Sequence, residues 1–153
     1  MKKKSKETMG YIVNGFSIAL FIYLAPTLET PDALRPLGYV GWLLLGSGVG
    51  LVVLSIVALV RNQGAGLIER GIYGIVRHPM YLGAMLCFLS YVFFCPHWLI
   101  LLISSVNIAV VYWFTWQGEQ QNIIVFGDAY RRYMENVPRI NLLAGLSRYR
   151  QNK

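Results

Sequence analysis

The residues best suited to chemistry lie in one short stretch, 71–83, where Tyr73, Arg77, His78 and Tyr81 surround a single proline, Pro79. Proline fits the first turn of a helix and biases the residue before it toward an extended conformation, so Arg77 and His78 are expected just ahead of a helix N-terminus. The free N–H groups and positive dipole end of that helix point to the same place. An anionic ligand group would be held there, with Arg77 offering a two-pronged hydrogen bond. Taken alone, an Arg-His-Pro triplet is also what a membrane-anchoring arginine with an interfacial His78 and Tyr81 looks like. Glu119 shifts that balance, because it is the only carboxylate close to the inner end of the last apolar stretch. A fixed cation and a fixed anion at one mouth suit a zwitterionic ligand carrying a carboxylate and a cationic centre. A purely structural Arg77–Glu119 ion pair would leave the same trace in the sequence.

The elements that must position these residues are membrane helices. The chain has 153 residues, 56% hydrophobic and 14% charged, with a mean hydropathy of +0.48, outside the range of ordinary soluble domains. Four stretches, 9–25, 38–60, 79–95 and 98–116, are apolar and free of charge, and a span takes about 20 apolar residues with a lower limit near 17. They predict an all-α integral membrane bundle of about four transmembrane helices in a single domain, 1–153. The apolar run after Lys2, Lys3, Lys4 and Lys6 continues to Pro26 without a small-residue cleavage site, so it is expected to be the first span rather than a cleaved leader. Pro96 and His97 make a helix-breaking corner between the last two spans. The resulting antiparallel hairpin returns Glu119 to the side of Arg77.

Charge sets the orientation. Of the 14 Lys and Arg residues, all but Arg35 fall on one side: the N-terminal lysines, the 61–78 loop and the tail. The positive-inside rule then puts both termini in the cytoplasm, for an inner (cytoplasmic) membrane or, in a eukaryote, an endomembrane. Tyr39, Trp42 and Trp98 mark the outer interface, and Trp113 and Trp116 the inner one. The net charge of +7 flanks apolar spans instead of forming a stripe, so anionic lipids are the expected partners and nucleic acid is not. The tail, 118–153, differs in kind. Within it, Tyr130, Tyr133, Met134 and Val137 recur on one face of an expected C-terminal amphipathic helix, 128–137, ended by Pro138 and lying at the cytoplasmic interface.

Several other readings are narrowed by spacing. Cys87 and Cys95 are separated by roughly 12 Å of helix rise and cannot pair. His78 and His97 are expected at opposite membrane faces, so no metal site is predicted. Gly64 and Gly66 follow an apolar helix rather than a strand and lack a third glycine at the required spacing, which excludes a dinucleotide fingerprint. Gly46 and Gly50 have the spacing that permits close helix approach, within the monomer or in a dimer, and oligomeric state stays open. A small four-span transporter remains an alternative, although such proteins usually carry an ionisable residue at membrane depth and these spans have none. A catalytically inactive membrane protein of the same fold is another.

The 71–83 stretch resembles the G-x-Y-x-x-x-R-H-P-x-Y-x-G signature of the isoprenylcysteine carboxyl methyltransferase and phospholipid methyltransferase superfamily. That superfamily's second block, an acidic pair followed by F-G, Y-x-x-Y and V-P-R, is similar to Glu119, Phe126-Gly127, Tyr130, Tyr133 and Val137-Pro138-Arg139. Together the blocks cover the second half of the chain in the right order. The resemblance implies a multi-span helical enzyme that binds S-adenosylmethionine in a cytoplasm-facing pocket and methylates a lipophilic acceptor entering from the bilayer. A prenylated cysteine carboxylate, a phospholipid amine or a small hydrophobic thiol would fit such a pocket. Carried over by motif, Arg77 and Glu119 become catalytic residues, and Tyr73, His78, Tyr81, Glu119 and Arg139 cofactor-binding ones. Gly118 stands where the family often has the first of two acids.

Overall fold

The computed structural model describes residues 14–24, 27–28, 31–64 and 66–151. The N-terminal lysines, Pro26, Glu29 and both ends of the first expected span, 9–13 and Ala25, lie outside the described residues. Among those described there are six α-helices and no strand: α1 Asn14–Leu24, α2 Leu37–Arg61, α3 Pro79–Phe94, α4 Trp98–Phe126, α5 Asp128–Asn136 and α6 Leu142–Gln151. Short 3-10 turns occupy Asp32–Leu34 and Gly71–Gly74.

Two helices, α2 and α4, are long and apolar enough to cross a membrane, while α1 and α3 are shorter apolar helices. The 25 residues of α2 reach roughly 37 Å at the rise of an α-helix, against about 30 Å of bilayer hydrocarbon. It leaves Leu43, Val49, Val53, Leu54 and Ile56 exposed, a helix that is apolar on its outward side and suited to a hydrocarbon solvent. Prolines and glycines punctuate the other helices. Pro79 opens α3, and the corner at Pro96 and His97 separates it from α4.

One boundary differs from the sequence expectation. The fourth helix does not end near Trp116 but continues to Phe126, because Gln117, Glu119, Gln120 and Gln121 are good helix formers that together carry it through the single weak position, Gly118. Residues 118–126, expected to begin an interfacial tail, are the last turns of α4, and Glu119 projects from its side. The run stops at Gly127, whose φ of 56° lies in the left-handed region open to glycine. There the chain turns into α5.

By its contacts the chain divides into two compact units, Met1–Gly48 with Ala84–Tyr112 and Val49–Gly83 with Trp113–Lys153. In the first, Phe21 stacks on Tyr91 with ring centroids 3.9 Å apart, and Phe88 meets Tyr91 edge-on. Phe94 packs against Trp42 and over Gly41, where a Cβ would meet its ring. In the second unit, α5 buries Tyr130 and Tyr133 with Leu67, Ile123 and Phe126 around them. The tyrosine face of this helix, assigned to the membrane interface from periodicity alone, is therefore covered by protein. The last helix, α6, has no counterpart in the sequence expectations. Asn141 caps it, its Oδ1 accepting the Ala144 N–H at 3.0 Å. Gly145 then crosses Ile75 so closely that any Cβ would overlap the Ile75 carbonyl. A Cβ added at Gly46 or Gly50 would meet nothing within 4 Å among the described residues.

Candidate active site

The 71–79 loop is irregular backbone, and the tail holds it in place. Its 3-10 turn, Gly71–Gly74, presents the Tyr73 carbonyl, which accepts the Tyr133 hydroxyl at 2.5 Å. Farther along, the N–H of Arg77 donates to the Pro138 carbonyl at 3.0 Å and that of His78 to the Arg139 carbonyl at 3.2 Å. These two bonds give the non-helical backbone ahead of Pro79 its partners. His78 also leads into α3, its carbonyl accepting from the N–H of Leu82 at 2.9 Å. On the other side of the loop, the Tyr73 phenol lies beside Ser55 of α2, which is fully buried and whose hydroxyl donates to the Leu51 carbonyl at 2.6 Å.

The side chains this loop presents converge on one carboxylate. Glu119 is 1% exposed. Its Oε1 lies 3.1 Å from Arg77 Nη2 and accepts Arg139 Nε at 3.0 Å, and its Oε2 accepts Arg139 Nη2 at 2.5 Å. Arg139 thus grips the carboxylate with a two-pronged fork, whereas Arg77 reaches it through one nitrogen. His78 Nε2 stands 3.4 Å from Oε1, a separation at the edge of what a hydrogen bond allows. The Arg77 side chain is only 8% exposed, yet its Nε and Nη1 have no hydrogen-bond partner among the described residues. Orphan donors on a buried guanidinium are uncommon enough in folded proteins to call for an explanation, such as a ligand that completes them.

Arg77 also borders a cavity of about 240 Å³, lined with it by Tyr73, Asn122, Phe126, Tyr130 and Tyr133. Burial pushes the phenols of Tyr133, Tyr130 and Tyr73 above their ordinary ionisation range. They are therefore neutral at physiological pH, acting as hydrogen-bonding groups and aromatic faces. The cavity is apolar and aromatic on most sides, with one cationic wall.

Of the residues singled out from sequence, Arg77, His78, Glu119 and Arg139 come together at one point. Tyr73 reaches the cavity beside Arg77, and Tyr81 lies next to His78, with ring centroids 5.6 Å apart. The structure adds Asn122, Tyr130 and Tyr133 as cavity residues. The two tyrosines had a visible signal, their i, i+3 spacing on one helix face, but that spacing does not say what the face covers. Asn122 had none. Among the described residues, no three His, Cys, Asp or Glu side chains gather as a metal site would require.

A family model described as phospholipid methyltransferase matches residues 37–124, more than half of the 153 residues. The matched segment holds Tyr73, Arg77, His78, Tyr81 and Glu119, while Tyr130, Tyr133 and Arg139 lie beyond it. No curated protein and no solved structure matches the chain.

Proposed function

The chain belongs to the phospholipid methyltransferase family, a family of membrane methyltransferases, and from that premise we propose that it transfers the methyl group of S-adenosylmethionine to a lipophilic acceptor. The observation that carries this reading is the buried Arg77, paired to Glu119 through one nitrogen and left with two nitrogens, Nε and Nη1, that have no partner among the described residues, beside an aromatic cavity. These residues fit the cofactor chemically. A buried guanidinium with spare donors matches an amino-acid carboxylate, and the faces of Tyr73, Tyr130 and Tyr133 suit a sulfonium cation.

When bound, S-adenosylmethionine supplies an already activated methyl group, so the protein's own task is alignment. Arg77 and the tyrosines orient the ligand and exclude water, and proximity of this kind contributes about 7–11 kcal/mol to lowering a barrier. Glu119, with both oxygens engaged by arginine, holds the cationic wall in register. An amine acceptor needs a group to take its proton, and the candidates named from the sequence are Glu119 and Tyr81. The acceptor, an isoprenylcysteine carboxylate-like or phospholipid-amine group, enters from the bilayer. We further infer four spans, 9–25, 38–60, 79–95 and an α4 whose apolar part is 98–116, with both termini and the site on the cytoplasmic side and anionic lipids against the basic tail. The charge asymmetry of the sequence supports this orientation.

The test is direct. Purified protein in micelles should bind S-adenosylhomocysteine in titration calorimetry and move label from methyl-labelled S-adenosylmethionine into a host lipid extract. Absence of binding at millimolar ligand, together with no labelled lipid, would overturn the reading.

A further inference from the structure

The geometry points to Arg139 as a positioning residue that acts through Glu119 to set the guanidinium of Arg77. That Arg77 receives the cofactor rests on the reading above; that Arg139 sets Arg77 does not. The resemblance places Arg139 among ligand-contacting residues, but its contacts assign it a different part.

Arg139 is attached on both sides. Its backbone carbonyl accepts the N–H of His78 at 3.2 Å, and its side chain forks onto Glu119 at 3.0 and 2.5 Å. The residue before it, Pro138, accepts the N–H of Arg77. One dipeptide therefore ties the loop that carries Arg77 and His78 to the helix that carries Glu119. A fork fixes the plane of a carboxylate as well as its position. With the plane of Glu119 fixed, Oε1 has one direction in which to meet Arg77 Nη2, and the remaining donors of Arg77, Nε and Nη1, are held where none of the described residues uses them. The roles of the two arginines thus divide. Arg139, although 29% exposed, turns Nε and Nη2 onto Glu119, while Arg77, 8% exposed, keeps two donors in reserve.

Removing the fork leaves Glu119 held only by Arg77 Nη2 at 3.1 Å and by the longer approach of His78 Nε2 at 3.4 Å, and frees both Glu119 and Arg77 to rotate. The positioning role is read from the full-length protein in micelles by the ¹H–¹⁵N signal of the Arg77 Nε–H group, identified by its loss in Arg77→Lys. Arg139→Ala and Glu119→Gln should displace or broaden that signal alike. In kcat/KM, Arg139→Ala should lose at least about thirtyfold, as when one member of a hydrogen-bonded charge pair is truncated. Placed in Glu119→Gln, it should cause no more than about a twofold further loss, because both act on one chain of contacts. If Arg139→Ala does not fold, Arg139→Lys keeps the charge without the fork and should move the Arg77 signal as well. An unchanged Arg77 signal in the Arg139 variants, or losses that multiply in the double variant, would overturn the assignment. A parent protein that neither binds S-adenosylhomocysteine nor transfers methyl would defeat the proposed function instead, and the Arg77 signal would still decide the role of Arg139.

Discussion

Replacing Glu119 by glutamine keeps the shape of the side chain and removes its charge, and the structure says where the damage falls. Arg139, 29% exposed, can turn its guanidinium toward water, whereas Arg77, 8% exposed, cannot. The loss is that of a buried cation without its counter-charge, about 3–5 kcal/mol. The Arg35–Asp32 pair provides the contrast: its side chains are 75% and 86% exposed, and breaking it should change stability by no more than about 1 kcal/mol. For a chain of this size, 3–5 kcal/mol corresponds to roughly 6–20 °C in thermal midpoint. Thermal unfolding of Glu119→Gln and Asp32→Asn in the same detergent, followed by circular dichroism, tests the difference. The double variant Arg77→Gln with Glu119→Gln separates structure from function. Removing both charges should restore most of the stability, since no buried charge is then left alone, yet S-adenosylhomocysteine binding should stay lost. Three results would refute the reasoning: Glu119→Gln no less stable than Asp32→Asn, a double variant as unstable as the single one, or a double variant that binds ligand like the parent. The last would reduce the cluster to a structural ion pair.

Two further outcomes follow from the tail. Gly145→Val places a side chain on the Ile75 carbonyl, and backbone there cannot swing aside, so α6 must lift at a cost of about 1–3 kcal/mol; limited proteolysis should then cut within 142–151, and an unaltered digestion pattern would count against the contact. Burial raises the Tyr133 phenol above its usual range, so above pH about 10 the unfolded chain gives up that proton first. The folded state then holds more protons, and stability falls as pH rises by up to about 1.4 kcal/mol per unit for this group, having been at its full value below pH about 10. Tyr133→Phe should flatten that alkaline slope in unfolding measured between pH 9 and 11.5, while losing about 0.5–1.5 kcal/mol at neutral pH with the bond to the Tyr73 carbonyl. An unchanged slope would mean that the phenol is not held as described.

The meeting of Arg77, His78 and Glu119 is legible in the sequence because its causes are local. Pro79 marks where a helix starts, Pro96 marks where the chain doubles back, and hydropathy sets the lengths between. The end of α4 is not legible to the same degree, since a change from apolar to polar residues marks a change of environment and not of backbone. Gln117, Glu119, Gln120 and Gln121 continue a helix as readily as the apolar residues before them. Tyr130 and Tyr133 show a related gap, because periodicity reveals that one face is apolar without saying what will cover it. What the sequence hides most completely is the work of 138–139, where two backbone carbonyls, which have no side-chain signature, accept the N–H groups of Arg77 and His78. A helix satisfies its own backbone, but the loop before Pro79 cannot, and in a protein built for a membrane its polar groups need partners from elsewhere in the chain. The tail supplies them, and the same two residues bring Arg139 to Glu119. The support for the loop and the alignment of its charged side chains are thus one arrangement, with half of it beyond the segment that the family match covers.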